Sequence, residues 1–569
     1  MIPLDTAWAR FRRQERRSGP APLSHFLATL SRTGQGFNLD PSTPALALEM
    51  VSLVPDLNPG QRVAGVLLTM TSLADVSQGS TRTRVAEDAG AQHLRERFAR
   101  LLGAGESPEE LKETDALVET ARALLQDDAL SPLVSKDETA YAPLLYVDGW
   151  LSQHRLNRAE RLLAASLLRE SNADEQPAAE AVAAAVQSVL DAPAGFRLSD
   201  EQVLAVRRAV TDRLVFISGG PGTGKTSIVV AILRAMARLG VEPDSVAMAA
   251  PTGKAAWRMG ASVAAGLAAV EAPAPADLAL MTSLPPARTL HRLLEYSPKA
   301  DRFGRGAEVH LEESVVVIDE TSMVDVYLMQ RLLAASGPET RLVFLGDADQ
   351  LPSVAAGAVF RDAVSGLRER GAVLTQNFRM SPSDPAGAAV LHVATAINQG
   401  RTDWLASPSM LSDAVSEVSP DAPRARGVGL ANCAGDDLDG FLTAWFDAHV
   451  RGAHLASARD HIFEPIDGLF SAAETEYIEA LFTHTGKARL LCATRVAPEG
   501  TVAINRGLHQ AMAAAIEVAA TTAYLPGEPI LMLHNDYRRQ IFNGDQGVVV
   551  RFRRGGAPLL GAVFPGREG

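Results

Sequence analysis

The chain has 569 residues, 47% of them apolar and 21% charged, and a formal net charge of −13. This length exceeds what one hydrophobic core can organise and predicts about three or four domains, and the acidic balance excludes indiscriminate nucleic-acid binding over the whole surface while leaving room for a locally basic channel. There is no uncharged apolar run of eighteen or more residues and 1–17 is charged rather than signal-like, so the expectation is a cytoplasmic chain with no membrane as partner; Cys433 and Cys492, far apart and without paired ligands nearby, read as structural thiols rather than a disulfide or zinc site.

Residues 1–195 read as mostly helical, with apolar positions at helical spacing in 94–102 and 159–168. Within them, LLYVDGWLSQHRLNRAERLLAASLL (144–168) predicts a short strand pair leading into a helix whose arginines form a solvated face. The Ala-, Glu- and Pro-rich stretch 175–194 predicts a domain boundary. Next, RLSDEQVLAVRRAV puts Ser199 or Asp200 at a helix N-cap with Gln202 just inside. A glutamine amide shortly before a phosphate loop can hydrogen-bond the edge of adenine, and an ordinary exposed glutamine would read the same.

The stretch 214–230, LVFISGGPGTGKTSIVV, is an apolar strand, a glycine-rich loop and a helix start, and it fits G-x-x-x-x-G-K-[ST] from Gly219 to Thr226. A triphosphate needs many donors close to its oxygens, and Gly219, Gly220, Gly222 and Gly224 remove the Cβ atoms that would hold the backbone away; Pro221 and Thr223 complete the loop. Unpaired N–H groups and the dipole at the helix start favour negative charge, Lys225 adds a full charge at the β- and γ-phosphates, and Thr226 is placed to ligate Mg²⁺.

A second strand, turn and helix follow in VAMAAPTGKAAWRM (246–259), and its PTGK turn emerges at the phosphate edge if the strands are parallel. The Ala- and Pro-rich 261–287 predicts a surface excursion, and ARTLHRLL (287–294) a new helix start. In ESVVVIDETSMVD (313–325) a run of β-branched residues predicts a strand buried on both faces. At its end Asp319 is suited to hold Mg²⁺ through water, and Glu320 to orient or deprotonate an attacking water. The unit RLVFLGDADQLPSVAAGAVF (341–360) places Gln350 to sense the γ-phosphate or its water, and VLTQNFRM (373–380) offers Arg379 as a cation for charge developing in phosphoryl transfer. Residues 401–440 read as loop-rich, LLCAT (490–494) as a buried strand of a second α/β layer beginning near 388, and 526–552 as a small antiparallel β unit. There Tyr537, Arg538, Arg539 and Phe542 interleave aromatic and basic groups, suited to stacking on bases or equally to an ordinary edge strand.

Taken together, GGPGTGKT, APTGKAAWRM, TLHRLL, VVVIDETSMVD, FLGDADQLPSVAAGAVF, LTQNFRM, LLCATR and FNGDQG resemble, in order, the motif series of the RecD family, subunits of the bacterial RecBCD exonuclease V and superfamily-one DNA helicases. The resemblance implies an α/β fold with two RecA-like P-loop NTPase domains: a helical partner-binding domain over 1–195, an ATPase domain over 196–387, and a second, incomplete RecA-like domain over 388–569 with a small β insertion around 505–569. It also implies ATP and Mg²⁺ as cofactors, 5′ to 3′ movement on single-stranded DNA entered from double-stranded ends, and RecB-like and RecC-like partner subunits. By the same resemblance Gln202 contacts adenine, Lys225 and Thr226 serve phosphate and Mg²⁺, Asp319 and Glu320 serve metal and water, Gln350 and Arg379 reach the γ-phosphate, and Thr252, Thr289 and His291 fall in segments lining the DNA path.

The leading expectation is therefore an ATP-dependent 5′–3′ helicase subunit acting in double-strand break repair and recombination. The alternative is an ATP-binding structural or regulatory subunit without motor activity, because the family's segment like T-x-H-K-S-Q-G-S-E-F does not occur before Gly569. A small-molecule P-loop kinase is disfavoured by the Asp319-Glu320 pair. No cluster of carboxylates with a nearby lysine reads as a nuclease centre, which assigns any exonuclease activity to a partner.

Overall fold

The computed structural model describes residues 21–566 apart from 38, 105–106, 172–175, 352, 354–355, 380–383, 407, 412–413, 424, 426, 434–436, 452, 466–468, 496, 520, 535, 537, 540 and 555. The 1–17 segment and Tyr537 lie outside the described residues. The chain divides into two units: Met1–Gly220 with Lys225–Pro251 and Met259–Thr375, and Pro221–Gly224 with Thr252–Arg258 and Gln376–Gly569.

The first unit begins with helices, as expected. Those spanning Pro59–Ser77, Glu87–Leu102 and Pro108–Gln126 share an apolar core that includes Leu67, Leu94, Phe98, Val118 and Leu125. Buried Asp75 ties the first of them to the second: one carboxylate oxygen accepts from Thr83 Oγ1 at 2.7 Å and meets His93 Nε2 at 2.8 Å, and the other pairs with Arg97 at 2.8 Å. A small sheet of β1 (Arg82–Arg84), β2 (Val134–Ser135), β3 (Leu144–Val147) and β4 (Trp150–Gln153) runs in the order β1-β4-β3-β2. Strands β3 and β4 are antiparallel, joined through Asp148 and Gly149 at φ 50° and 80°, and lead into the helix His154–Ser171, so 144–168 folds as its pattern predicts.

The rest of this unit is built on β5 (Leu214–Gly219), β6 (Val246–Ala250), β7 (Arg288–Thr289), β8 (Tyr296–Ser297), β9 (Arg302–Phe303), β10 (Val315–Ile318), β11 (Arg341–Gly346) and β12 (Gly371–Leu374). Strands β8 and β9 form a hairpin of their own; the other six make one sheet in the order β12-β5-β11-β10-β6-β7, with every pairing parallel. Successive side chains of a strand face opposite sides, and here both sides are covered. Val215, Ile217, Val315, Val317, Val343 and Leu345 join one apolar cluster, while Leu214, Phe216, Val316, Ile318, Leu342 and Phe344 join the other. That two-sided burial is why these strands read as continuous hydrophobic runs rather than alternating ones. On the second face Phe216 stacks on Phe344 with ring centroids 4.9 Å apart, and a Cβ at Gly346 would come within 2.9 Å of the Phe360 ring.

Two expectations are corrected in this unit. The 175–194 stretch holds the helix Ala179–Asp191, whose Val182, Val186 and Val189 pack into the first cluster; spacings of four and three put them on one stripe, which the alanine-rich composition obscures. The supposed excursion 261–287 is also packed. The helix Gly253–Ala268 runs into it, with Val263 and Leu267 buried, and the helix Pro275–Ser283 follows. Asp277 in this second helix is fully buried between Arg234 and Arg238: Arg234 Nε and Arg238 Nη1 donate to one oxygen at 2.9 and 2.8 Å, and Arg238 Nη2 donates to the other at 2.9 Å.

The second unit has several small apolar clusters in place of one large core. Around the helix Pro385–Asn398, Val393 and Ala396 pack with Trp404, Leu411 and Val415. Strands β13 (Val415–Glu417) and β14 (Val428–Leu430) form a parallel pair. A further sheet joins β15 (Ile462–Phe463), β16 (Pro529–Leu531), β17 (Gln546–Arg554) and β18 (Ala557–Val563): β17 is antiparallel to β16 and β18 and parallel to β15. The antiparallel unit expected over 526–552 is present. The LLCAT strand is not: 490–494 has no strand pairing, Leu491 is 95% exposed, and an apolar run with no neighbouring edge to pair with stays irregular. Cys433 is exposed and Cys492 half-buried, so neither packs as a core thiol.

The Asp277 cluster generates a stability prediction. Burial alone would raise its pKa, but hydrogen bonds from Arg238, Arg234 and the Ala274 N–H, with the charge of Arg234, hold it far below the ordinary carboxylate range. A carboxyl depressed on folding stabilises the protein above its unfolded pKa of about 4 and loses that contribution as the pH falls below it. Asp277→Ala leaves two guanidinium groups without their counter-charge, and we expect a loss of about 3–5 kcal/mol in denaturant unfolding at pH 7, with a smaller difference from the parent chain at pH 3.

Candidate functional site

Parallel pairing places the carboxyl ends of β5, β11 and β10 at one edge of the sheet, with β11 between the other two. In open parallel sheets this edge is where ligands are held. Three polar segments leave it: the glycine loop after β5, Asp347 after β11, and Asp319-Glu320 after β10.

The glycine loop ends in the helix Lys225–Arg238, as the motif predicts. Lys225 Nζ donates to the carbonyls of Gly219 at 2.5 Å and Gly220 at 3.2 Å, which folds the side chain back over the loop. Gly222 and Gly224 have φ of 85° and 80°, a conformation in which any other residue is strained. Thr226, in the first turn, is half-buried and Thr223 is buried.

Asp319 receives the Glu320 N–H at 2.8 Å, and its own N–H donates to Ala249 O of β6 at 3.0 Å. Burial pushes its pKa above the ordinary carboxylate value, opposed by the Glu320 N–H and by the positive charge of Lys225. Lys225 and Asp319, nearly a hundred positions apart in sequence, thus act on each other electrostatically. Glu320 sits at φ 52° in the left-handed region. A non-glycine residue held there costs roughly 1–3 kcal/mol and is a common feature of functional sites.

Gln350 is tied to the same edge: its Nε2 donates to Asp347 Oδ2 at 3.3 Å. Asp347 is buried, and the same Oδ2 lies 3.9 Å from where a Gly220 Cβ would stand. Sequence reading passed over Asp347, although it stands at the end of β11 much as Asp319 stands at the end of β10. A hollow of about 410 Å³ beside the Lys225 helix is lined by Phe196, Arg197, Leu198 and Ser227, none of which the sequence singled out. Gln202 lies in the helix Asp200–Thr211 and is buried; its Oε1 accepts from the Ser199 N–H at 3.0 Å in a reciprocal capping box.

Within the second unit, the loop tip Pro221–Gly224 packs on Asn377 and Arg379. Asn377 Nδ2 donates to Pro221 O and Phe378 N to Gly222 O, both at 2.8 Å, and a Gly222 Cβ would come within 2.7 Å of Arg379 Cβ. Arg379 itself is exposed, and Asn377, absent from the sequence reading, is what links its backbone to the loop. Thr252 and Thr289 each cap a helix start, accepting from Ala255 N at 3.2 Å and Arg292 N at 3.3 Å. His291 is exposed, its ring 5.3 Å from Tyr296 and 6.0 Å from Phe303.

The donor set fits a hard divalent cation with a polyphosphate: a hydroxyl at Thr226 and a carboxylate at Asp319, with backbone glycines where an anion needs close approach. For Glu320→Gln we expect nucleotide binding to persist while the hydrolysis rate falls by about 10²- to 10⁴-fold, measured by phosphate release beside a fluorescent-nucleotide titration.

Residues 202–356 match the AAA domain family. The RecBCD enzyme subunit RecD of Mycobacterium tuberculosis is 35% identical over 385 residues, 66% of this chain and 59% of the relative; that of Mycolicibacterium smegmatis is 33% identical over 380 residues, 65% and 60%. The ATP-dependent RecD2 DNA helicase of Deinococcus radiodurans is 28% identical over 362 residues, 62% of this chain and 38% of the relative. The chain therefore spans about three fifths of the length of the RecD proteins it matches. In its motif series and over about two thirds of its own length the chain is thus similar to RecD proteins, with the AAA match lying on the parallel sheet and its phosphate loop.

Proposed function

We propose that this chain is the ATP-dependent 5′–3′ DNA helicase subunit of a RecBCD-type assembly that processes double-strand breaks for repair and recombination. The observation that carries the reading is the parallel register that brings the glycine loop with Lys225, Asp347, and the Asp319-Glu320 pair out at one carboxyl edge of the sheet, inside the matched AAA segment. It brings Glu320, a carboxylate suited to accept a proton from water, to the same edge as the phosphate loop, which hydrolysis needs and nucleotide binding alone does not.

In this reading the glycine-loop N–H groups and Lys225 bind the phosphates of ATP, and Lys225 offsets charge that builds between the β- and γ-phosphates. The Thr226 hydroxyl and Asp319 hold Mg²⁺, which supplies further charge neutralisation when bound. Glu320 accepts the proton of the attacking water as the bond to the γ-phosphorus forms, Gln350 orients that water, and the bond to the β-phosphate oxygen breaks to leave ADP. Arg379 stabilises the charge that develops on the transferred group. Phe196 and Leu198 supply an apolar wall for the adenine and Gln202 one of its polar contacts, with an amide orientation already set by the Ser199 N–H. Thr252, Thr289 and His291 face the DNA, and RecB-like and RecC-like subunits complete the assembly in the cytoplasm.

The test is hydrolysis with and without single-stranded DNA. We expect DNA to stimulate phosphate release, Lys225→Gln to abolish it, and the chain assembled with its partners to unwind a duplex bearing a 5′ overhang. Hydrolysis that is indifferent to both DNA and Lys225→Gln would overturn the reading.

A further inference from the structure

A groove of about 640 Å³ lies within the first unit, bounded by the helix His154–Ser171, the β8–β9 hairpin and the helix Val326–Ala335. Four arginines line it: Arg155 and Arg158 from the first helix, Arg302 from the hairpin and Arg331 from the third element. All four are exposed, and among the described residues none has an acidic partner. Arg155 and Arg158 stand three apart and therefore share a helix face. Two carboxylates share the groove: Asp301 accepts from the Tyr296 hydroxyl at 2.8 Å, and Asp325 caps its helix through Leu328 N at 2.9 Å, so four guanidinium groups stand against two acids. In a chain of net charge −13 this is a local excess of positive charge.

Aromatic rings are interleaved with those charges. Tyr296 and Phe303 face each other across the hairpin with centroids 4.9 Å apart, and His291 packs on the edge of this pair. On the opposite side the Arg155 guanidinium lies 4.6 Å from the Tyr327 ring centroid, which flattens it into a stacking surface in its own right. Leu162 and Leu328 supply an apolar floor. Charge alone would suit any polyanion. Charge alternating with accessible rings suits a polyanion whose units carry flat faces, which is a single nucleic-acid strand with its bases unstacked.

We propose that this groove seats a single DNA strand, with phosphates on Arg158, Arg302 and Arg331 and bases against the Tyr296–Phe303 pair and Tyr327. The inference rests on the helicase reading above and extends it to the N-terminal helix, which sequence analysis took for a solvated face. It also gives the strand a physical route to the hydrolytic residues. The helix bearing Tyr327 and Arg331 begins six residues after Glu320, so contact there bears on the segment that positions the catalytic carboxylates.

The experiment is a fluorescence-anisotropy titration of the full chain with a labelled oligothymidylate over a range of salt, comparing the parent with Arg158→Ala/Arg302→Ala/Arg331→Ala. Each phosphate contact with a single strand contributes a salt slope of about 0.7. The triple variant is therefore expected to bind roughly tenfold or more weakly at low salt, with a slope lower by about 2, and to bind nucleotide as the parent does. Photo-crosslinking of the parent chain to a strand carrying 5-iododeoxyuridine is expected to label Tyr296, Phe303 or Tyr327, and it decides the matter should the variant fail to fold. Equal affinity and slope in the variant, crosslinks confined to other residues, or stoichiometric displacement by an acidic peptide that spares DNA binding would each overturn the proposal. None of these results touches DNA-stimulated hydrolysis or its dependence on Lys225, so the helicase reading and the groove stand or fall separately.

Discussion

The attraction between the Lys225 ammonium and the Asp319 carboxylate depends on everything that brings two distant segments to one edge. A cation and an anion separated by nearly a hundred positions meet only if the strands that carry them run the same way and end at comparable heights. The register supplies this: Ile318 pairs with Phe344, and Phe344 with Phe216, so β10, β11 and β5 are in step three residues before the glycine loop departs. Step is held in turn by two-sided burial. A slip of one residue in β10 would exchange Val317 for Val316 or Ile318 between two differently shaped clusters, and would carry Asp319 to the wrong face.

The polar chemistry at that edge is strained and desolvated in ways the surrounding scaffold has to offset. Glu320 occupies a left-handed conformation, burial pushes the Asp319 carboxyl up in pKa against the Glu320 N–H and the Lys225 charge, and Asp347 is enclosed beside the loop. Such features persist where the packing around them leaves no alternative. Here the packing is the stacked Phe216 and Phe344, the close approach of Phe360 to Gly346, and the short turn Thr321–Met323, of which Thr321 is completely buried.

Much of this was legible in the sequence because the signals were local and chemically demanding. The glycine loop, the VVVI strand with its two acids, and the strand pair at 144–153 each specify their conformation within a few residues, and each is found as expected. Asp347 escaped notice because nothing marks a carboxylate as part of a site until its strand is known to lie between two others. The 261–287 segment was misread for a related reason: its order comes from the burial of Asp277 against Arg234 and Arg238, some forty positions away, and alanine-rich composition carries no trace of that pairing. LLCAT failed in the opposite direction, since a hydrophobic run states a preference for pairing but cannot supply the edge that would satisfy it. Gln202, Gln350 and Arg379 were suggested by their places beside the motif strands, where an ordinary surface residue would read the same, and the DNA-path roles of Thr252, Thr289 and His291 came only through resemblance.

The packing of the helix His154–Ser171 against the helix Val326–Ala335 has a mechanical implication. Leu156, Ala159 and Leu163 form part of the same apolar layer as Met329, Leu332 and Phe344, so the N-terminal region is the lid of the second face and not an appendage to it. Interiors packed this densely transmit displacement instead of absorbing it. Any body that grips the N-terminal region from outside is thereby holding one end of a stiff strut whose other element begins six residues after Glu320, and tension applied there is passed toward the acidic turn.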